Sequence, residues 1–349
     1  MSTSFSLFAG GGLADIGLHQ AGYTSIGGID NDPAVVDVAQ TNGLPFVCRD
    51  ILTADPRGYE RPDLLWISPP CTTASVANQR TGETAQDRAL AQACCRFIAA
   101  MCPHMVVLEN VPGYRQYQAY AAIVTTLQHH GYHVRDWLLN AADYGVPQQR
   151  RRLILIAARA FVPQRPPATH RRHADMFSPA WRGWYPALAD LIPTLPPSRL
   201  APWQQRRLPA CIPATVLIGS ASVNLVINPM TSPAATVRDY AHSSIPRILL
   251  VDDQFSSAGG LRANDRGPTM APGDQPAFTV TTRDCRKIRT VCLTDADVRS
   301  LTPRALARLQ DVPDSYQLPD NRTLACSLIG RGVPCTLAAA IGACHEAIA

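Results

Sequence analysis

Lysine is almost missing: Lys287 is the only one among 32 basic residues, so nearly all the positive charge is arginine. There is no run of about 18 uninterrupted apolar residues, which argues against a membrane-crossing helix. The first ten residues, MSTSFSLFAG, lack the basic stretch and apolar run of a secretory leader, so a cytoplasmic location without membrane attachment is expected. The eleven cysteines include no C-x-x-C pair, and Cys94, Cys95, Cys102 and Cys344 sit among apolar neighbours. Disulfides and a structural zinc are therefore not expected, nor is any other metal. The chain also has no internal repeat and no low-complexity tail.

What is present fits a globular protein. With 349 residues, 46% hydrophobic and 17% charged, the chain can bury a full core in one large domain or two ordinary ones. The formal charge is +5, and Phe161 to Thr215 alone carries seven arginines against two aspartates. A polyanionic partner accounts for that concentration, and so does a solvated basic face. From Phe5 to about Ala160, short apolar runs alternate with helical stretches, the pattern of βαβ units around a parallel sheet. The runs are Phe5–Phe8, Ser25–Ile29, Asp63–Ile67, Met105–Leu108 and Leu153–Ala157. Helical spacing covers Asp87–Met101, stopped by Cys102 and Pro103. Between Pro163 and Pro213, eleven prolines and five aromatics replace any periodicity, marking a second module or an elaborate loop region. Helices are expected again from Pro303 to Leu309 and from about Pro334 to Ile348.

Several residues along this pattern suit chemistry. The first strand opens into Phe8-Ala9-Gly10-Gly11-Gly12, where glycines let a ligand approach the backbone at a helix amino terminus. About 20 residues on, the next strand ends at Asp30, whose carboxylate can accept hydrogen bonds from ribose hydroxyls. Together they suggest nucleoside binding without choosing between nicotinamide, flavin and S-adenosylmethionine. Ser68-Pro69-Pro70-Cys71 follows the third apolar run, and paired prolines there fix a loop that presents a thiol at the ligand-binding edge of the sheet. Leu108-Glu109-Asn110-Val111 sets a carboxylate at the same edge. In Pro147-Gln148-Gln149-Arg150-Arg151-Arg152, strand alternation puts Arg150 and Arg152 on one face and Arg151 on the other, although a charged strand entrance would read the same way.

In this order, these elements resemble the DNA cytosine-5 methyltransferase family. The matches are Phe8 to Gly12, Asp30 and Asp32 around Asn31, Asp50-Ile51, Pro69-Pro70-Cys71, Glu109-Asn110-Val111, Pro147-Gln148 with Arg150 and Arg152, Arg304 with Ala307 to Gln310, and Gly330 with Val333-Pro334. The resemblance implies an α/β fold: a Rossmann-like class I methyltransferase domain with a parallel-sheet core, plus a smaller, irregular target-recognition domain. It divides the chain into 1–162 (catalytic), 163–300 (target recognition) and 301–349 (return to the catalytic domain, with a closing helix). Phe8, Gly10, Gly12, Asp30, Asn31, Asp50, Ile51, Pro69, Arg331 and Val333 would hold S-adenosylmethionine. Cys71 would add to C6 of cytosine, with Glu109 sharing a proton at N3 and Arg152 and Arg150 holding the base oxygen or a flanking phosphate. The target would be flipped out of double-stranded DNA. A monomer in a bacterial or phage-infected cell is expected.

Four positions depart from the family pattern: Leu13, Thr72, Ala305 and Arg331. Arg331 stands where the resemblance places an asparagine near the methionine end of the cofactor. A cation about 6 Å from the sulfonium, at an effective dielectric of about 20, would be repelled by roughly 3 kcal/mol. The cofactor carboxylate, a protein acid or rotation to solvent would relieve this. So would a carboxylated donor, carboxy-S-adenosylmethionine, whose extra anion a guanidinium can grip with both prongs, giving 5-carboxymethylcytosine. Alternatives to the DNA enzyme are an RNA cytosine-5 methyltransferase, an inactive DNA-binding relative and a nicotinamide oxidoreductase.

Overall fold

The computed structural model describes residues 1–70, 82–198, 215–218, 225–226, 233–234, 247–250 and 298–344. Two compact units emerge: 1–144 with 151–168 and 331–349, and 145–150 with 169–330.

The first unit is built on a seven-stranded sheet of β1 (Ser2–Leu7), β2 (Tyr23–Asp30), β3 (Phe46–Cys48), β4 (Leu64–Ile67), β5 (Met105–Asn110), β6 (His133–Asn140) and β7 (Arg151–Ala158), in the order β3-β2-β1-β4-β5-β7-β6. The central strands are parallel. All four residues of β4 and all six of β5 are buried, as strands covered on both faces must be, which is why they read as continuous apolar runs. One strand, β7, departs from the expected parallel pattern, while β6 at the edge runs in the direction of the others. β7 runs antiparallel to both β5 and β6, because residues 141–150 join β6 to β7 through a single 3-10 turn at Ala141–Tyr144 and no crossover helix.

Helices flank this sheet. α1 (Leu13–Gln20) follows β1, α2 (Pro33–Thr41) is capped by the Asp32 carboxylate, and α3 (Ala85–Met101) opens on a Thr84–Asp87 capping box. α3 ends as expected, with Cys102 in the left-handed region before Pro103. α4 (Gln118–His129) packs against α3. The final described helix, here α8 (Cys335–Gly342), lies against α1 so closely that a side chain on Gly17 would come within 2.2 Å of the Cys335 carbonyl.

In the second unit, α5 (Trp184–Leu188) packs against α6 (Pro303–Leu309), and Arg308 on α6 pairs with Asp190 and Asp314. Residues 301–330 are grouped with this unit. α7 (Arg322–Arg331) follows α6. A four-stranded antiparallel sheet is formed by β8 (Thr215–Ile218), β9 (Leu225–Val226), β10 (Arg247–Leu250) and β11 (Val298–Ser300), ordered β11-β10-β8-β9. Residues Arg322–Gly342 are long and apolar enough to cross a membrane, but Pro334 divides them into two helices and 61% of the most apolar window is buried.

Candidate active site

The strand order reverses between β1 and β4, because β2 and β3 lie on one side and β5 on the other. Ligands of open α/β sheets bind at such a switch point, beyond the carboxyl ends of the strands. Topology sets Asp50, Asp30, Phe8–Gly12, Pro69 and Glu109 along that edge, and Arg152 joins them because antiparallel β7 begins there. From β3 to β7 the row spans five strand steps, about 24 Å.

The glycine turn is made by backbone geometry. Phe8, Gly10 and Gly12 all have positive φ, at 57°, 56° and 77°. A Cβ on Gly12 would come within 1.9 Å of the Leu44 side chain, which would have to move, and the positive φ strains any side chain there. At Gly10 nothing lies within 4 Å of where a Cβ would stand, so this stretch of backbone is open to a ligand. Asp30 holds the turn in place: one carboxylate oxygen accepts from the Gly10 N–H at 2.9 Å and the other from the Asp32 N–H at 3.1 Å. Asn31 is exposed beside it. Further along the edge, the exposed Asp50 carboxylate accepts from the Leu52 N–H at 2.9 Å, and Ile51 is buried.

At the other end of the row, Glu109 and Arg152 form an ion pair with Oε1 2.8 Å from Nε and both side chains largely buried. Glu109 is opposite Ile154 in the β5–β7 ladder, so Arg152 is its diagonal neighbour on the same face. Arg152 Nη1 donates to the Arg151 carbonyl at 2.9 Å. Next to Glu109, Asn110 is buried and its amide donates to the Pro69 carbonyl at 3.0 Å, tying the end of β5 to the loop that leads to residue 71. Cys71 and Thr72 lie outside the described residues.

Arg150 does not share this setting. It is 1% exposed, belongs to the second unit, and donates to the Gly330 carbonyl at 2.8 Å. Buried Gln148 and Gln310 make similar links, to the carbonyls of Leu309 and Ile329. Arg331 is exposed at the end of α7, whereas Val333 is buried.

One cluster is not foreshadowed by any motif. Asp15, in the first turn of α1, is buried and accepts from the Ser6 hydroxyl at 2.9 Å and the Ser25 hydroxyl at 3.2 Å. Burial pushes its carboxyl up to about 7, against the opposing pull of the two serines. The available signals were Ser6 among the buried residues of β1 and an aspartate in the first turn of the helix that follows.

A family model described as C-5 cytosine-specific DNA methylase matches residues 2–189 and 227–346. The chain belongs to that family. This methylase is similar to the type II methyltransferase M.AquIA of Picosynechococcus, 30% identical over 55% of this chain and 88% of the relative. It is also similar to M.Sau96I of Staphylococcus aureus, 25% identical over 97% of this chain and 74% of the relative. Among solved structures, Entamoeba histolytica methyltransferase EhMeth matches with a TM-score of 0.66 at 12% identity, covering 100% of this chain and 99% of the other. The Schizosaccharomyces pombe Dnmt2 methyltransferase matches at 0.63 and 16% over the same shares. At these identities the structural likenesses show the fold alone. Family membership makes the protein a DNA cytosine-5 methyltransferase that uses S-adenosylmethionine.

Proposed function

We propose that the protein methylates C5 of a cytosine flipped out of double-stranded DNA, acting as a monomer through a covalent adduct between Cys71 and C6. The observation that carries this reading is the Glu109–Arg152 pair, tethered through Asn110 to Pro69 on the same sheet edge as the glycine turn. The cofactor fits that edge, since the Gly10 backbone is open and the Asp30, Asn31 and Asp50 side chains stand beside it. Phe8, Gly12, Ile51, Pro69 and Val333 complete the set that would hold it, and Arg331 stands at the return of the chain. Bound there, S-adenosylmethionine would supply an electrophilic methyl group whose bond to the sulfonium breaks with the thioether as leaving group.

Cytosine C5 is too weak a nucleophile to do this unaided. The Cys71 thiolate forms a bond to C6, the C5–C6 electron pair becomes available at C5, and charge builds on the ring at N3. Arg152 occupies Oε1 of Glu109 and leaves Oε2 to share a proton with N3, while its Nη2 is left for the base oxygen. After a base removes the C5 proton, the C6–S bond breaks and the ring double bond returns. In this reading Arg150 acts as a strut beneath Gly330 and does not touch the base.

The adduct is tested with duplex DNA carrying 5-fluorocytosine, in which fluorine replaces the proton that must leave. The protein should form a denaturation-resistant complex with this DNA, and Cys71→Ala should not; an equally stable complex with the variant would refute Cys71 as the nucleophile. The carboxylated donor is the second reading, supported by an arginine at position 331, an exposed residue at the end of α7. Preference for that donor should then be lost in Arg331→Asn.

A further inference from the structure

Residues 170–182 form a braced loop in the second unit that carries two bare apolar side chains at its tip. Arg171 and Ala180 form a bridge, with the Arg171 N–H donating to Pro179 at 2.9 Å and the Trp181 N–H donating to Arg171 at 2.7 Å. Inside it, the Asp175 carboxylate accepts from the N–H groups of Phe177 and Ser178 at 2.9 and 2.7 Å, and Arg171 pairs with Asp175 at 2.8 Å. The loop is thus held in one conformation by its own bonds. That conformation leaves Met176 90% and Phe177 88% exposed, whereas among the described residues the other large exposed apolar side chains apart from Met1 are near 40%. Arg172 and His173 beside them are exposed as well. The ion pair with Arg171 offsets the charge of Asp175, so the surroundings of the tip are cationic.

The root is equally fixed. His170 occupies the space over Gly145, where a Cβ would come within 2.7 Å of its ring, and Arg182 donates to the Gly145 carbonyl at 3.1 Å. Gly145 has φ of 85°, so a side chain there is strained as well as crowded by the His170 ring. The segment that bears this root, residues 145–150, runs straight into β7 and Arg152.

We infer that this loop docks on double-helical DNA, with Met176 and Phe177 as an apolar wedge against the bases and Arg172 and His173 on neighbouring phosphates. Short apolar wedges flanked by arginine unstack base steps in other DNA-binding proteins, and an enzyme that acts on a flipped base needs a stack that opens. A protein partner is a poor fit, since two side chains offer far less than the roughly 800 Å² per side of a stable interface. The inference rests on DNA being the substrate.

The test uses the full chain with Met176→Ala/Phe177→Ala, Phe177→Trp and Arg172→Ala. Removing the wedge should weaken duplex binding about tenfold or more, as loss of a stacked aromatic does, with cofactor binding and melting temperature unchanged. Phe177→Trp should retain affinity, and its added fluorescence should be quenched by duplex. Arg172→Ala should lower the slope of log affinity against log salt by about one. Wild-type affinity and methylation in the double alanine variant would overturn the inference while leaving the proposed function intact. So would a loss seen with phosphatidylserine vesicles instead of duplex. A wild-type protein that modifies RNA and not DNA would remove the reading on which the inference rests.

Discussion

At the scale of residues, two buried carboxylates in one unit are put to opposite uses. Glu109 lies against the Arg152 guanidinium, which orients one oxygen, whereas Asp15 accepts from the Ser6 and Ser25 hydroxyls and is pushed up to about 7 by burial. If Glu109 and Arg152 work as one device, Arg152→Met should lower the single-turnover methylation rate about a hundredfold, and Glu109→Gln by a similar factor. The double variant should be little worse than the poorer single one, because parts of a unit are not additive. Multiplying losses would indicate separate roles. Asp15 matters to stability. Its folded carboxyl titrates near 7 against an ordinary value of 3.8, so its contribution is most favourable at acid pH and is lost as pH rises from about 4 to about 7. The full change is about 4 kcal/mol. Urea unfolding of Asp15→Asn should therefore show stability that gains on the wild type across that window and then runs parallel above it. A constant difference from pH 4 to pH 8 would show that Asp15 does not titrate on folding.

At the scale of elements, Arg150 and Arg152 show what alternation reveals and what it leaves open. Two residues apart, they were expected on one face, but β7 begins at Arg151, so strand parity does not govern Arg150. Its guanidinium turns to the Gly330 carbonyl near the end of α7. Arg150→Met leaves that buried carbonyl without its charged donor and should cost about 1.5–3 kcal/mol in denaturant unfolding. Cysteine trapping by 5-fluorocytosine DNA should survive in the fraction that remains folded, which a base-contacting arginine would not allow. The strands that form the core were legible because burial on both faces writes them as apolar runs. β4 and β5 fall almost where those runs lie. β6 was missed because it is an edge strand whose outward residues, among them His133 and Arg135, break the run, and β3 because three residues give no period. Phe8 was counted with the first strand, yet its φ of 57° already turns the chain. The row from Asp30 to Glu109 was legible because strand ends in a parallel sheet share one edge. The Asn110–Pro69 tie and the Asp15–Ser6–Ser25 cluster were not, since each joins residues distant in sequence through side-chain geometry that no local pattern records.

At the scale of the whole molecule, the first unit supplies the sheet edge with its nucleoside-type turn and its acid–guanidinium pair, and the second supplies the braced loop and an antiparallel sheet. The +5 charge is carried almost wholly by arginine, whose planar fork suits phosphate and base edges alike. Methyl transfer to C5 of cytosine in duplex DNA is the reaction to which every role above refers. Its most direct test is nucleoside mass spectrometry of DNA of varied sequence incubated with the full chain and equal amounts of S-adenosylmethionine and its carboxylated analogue, with Cys71→Ala alongside. 5-Methylcytosine is expected from the wild type and none from the variant. 5-Carboxymethylcytosine as the main product would keep the chemistry but give Arg331 the choice of donor, and unmodified cytosine throughout would contradict the account.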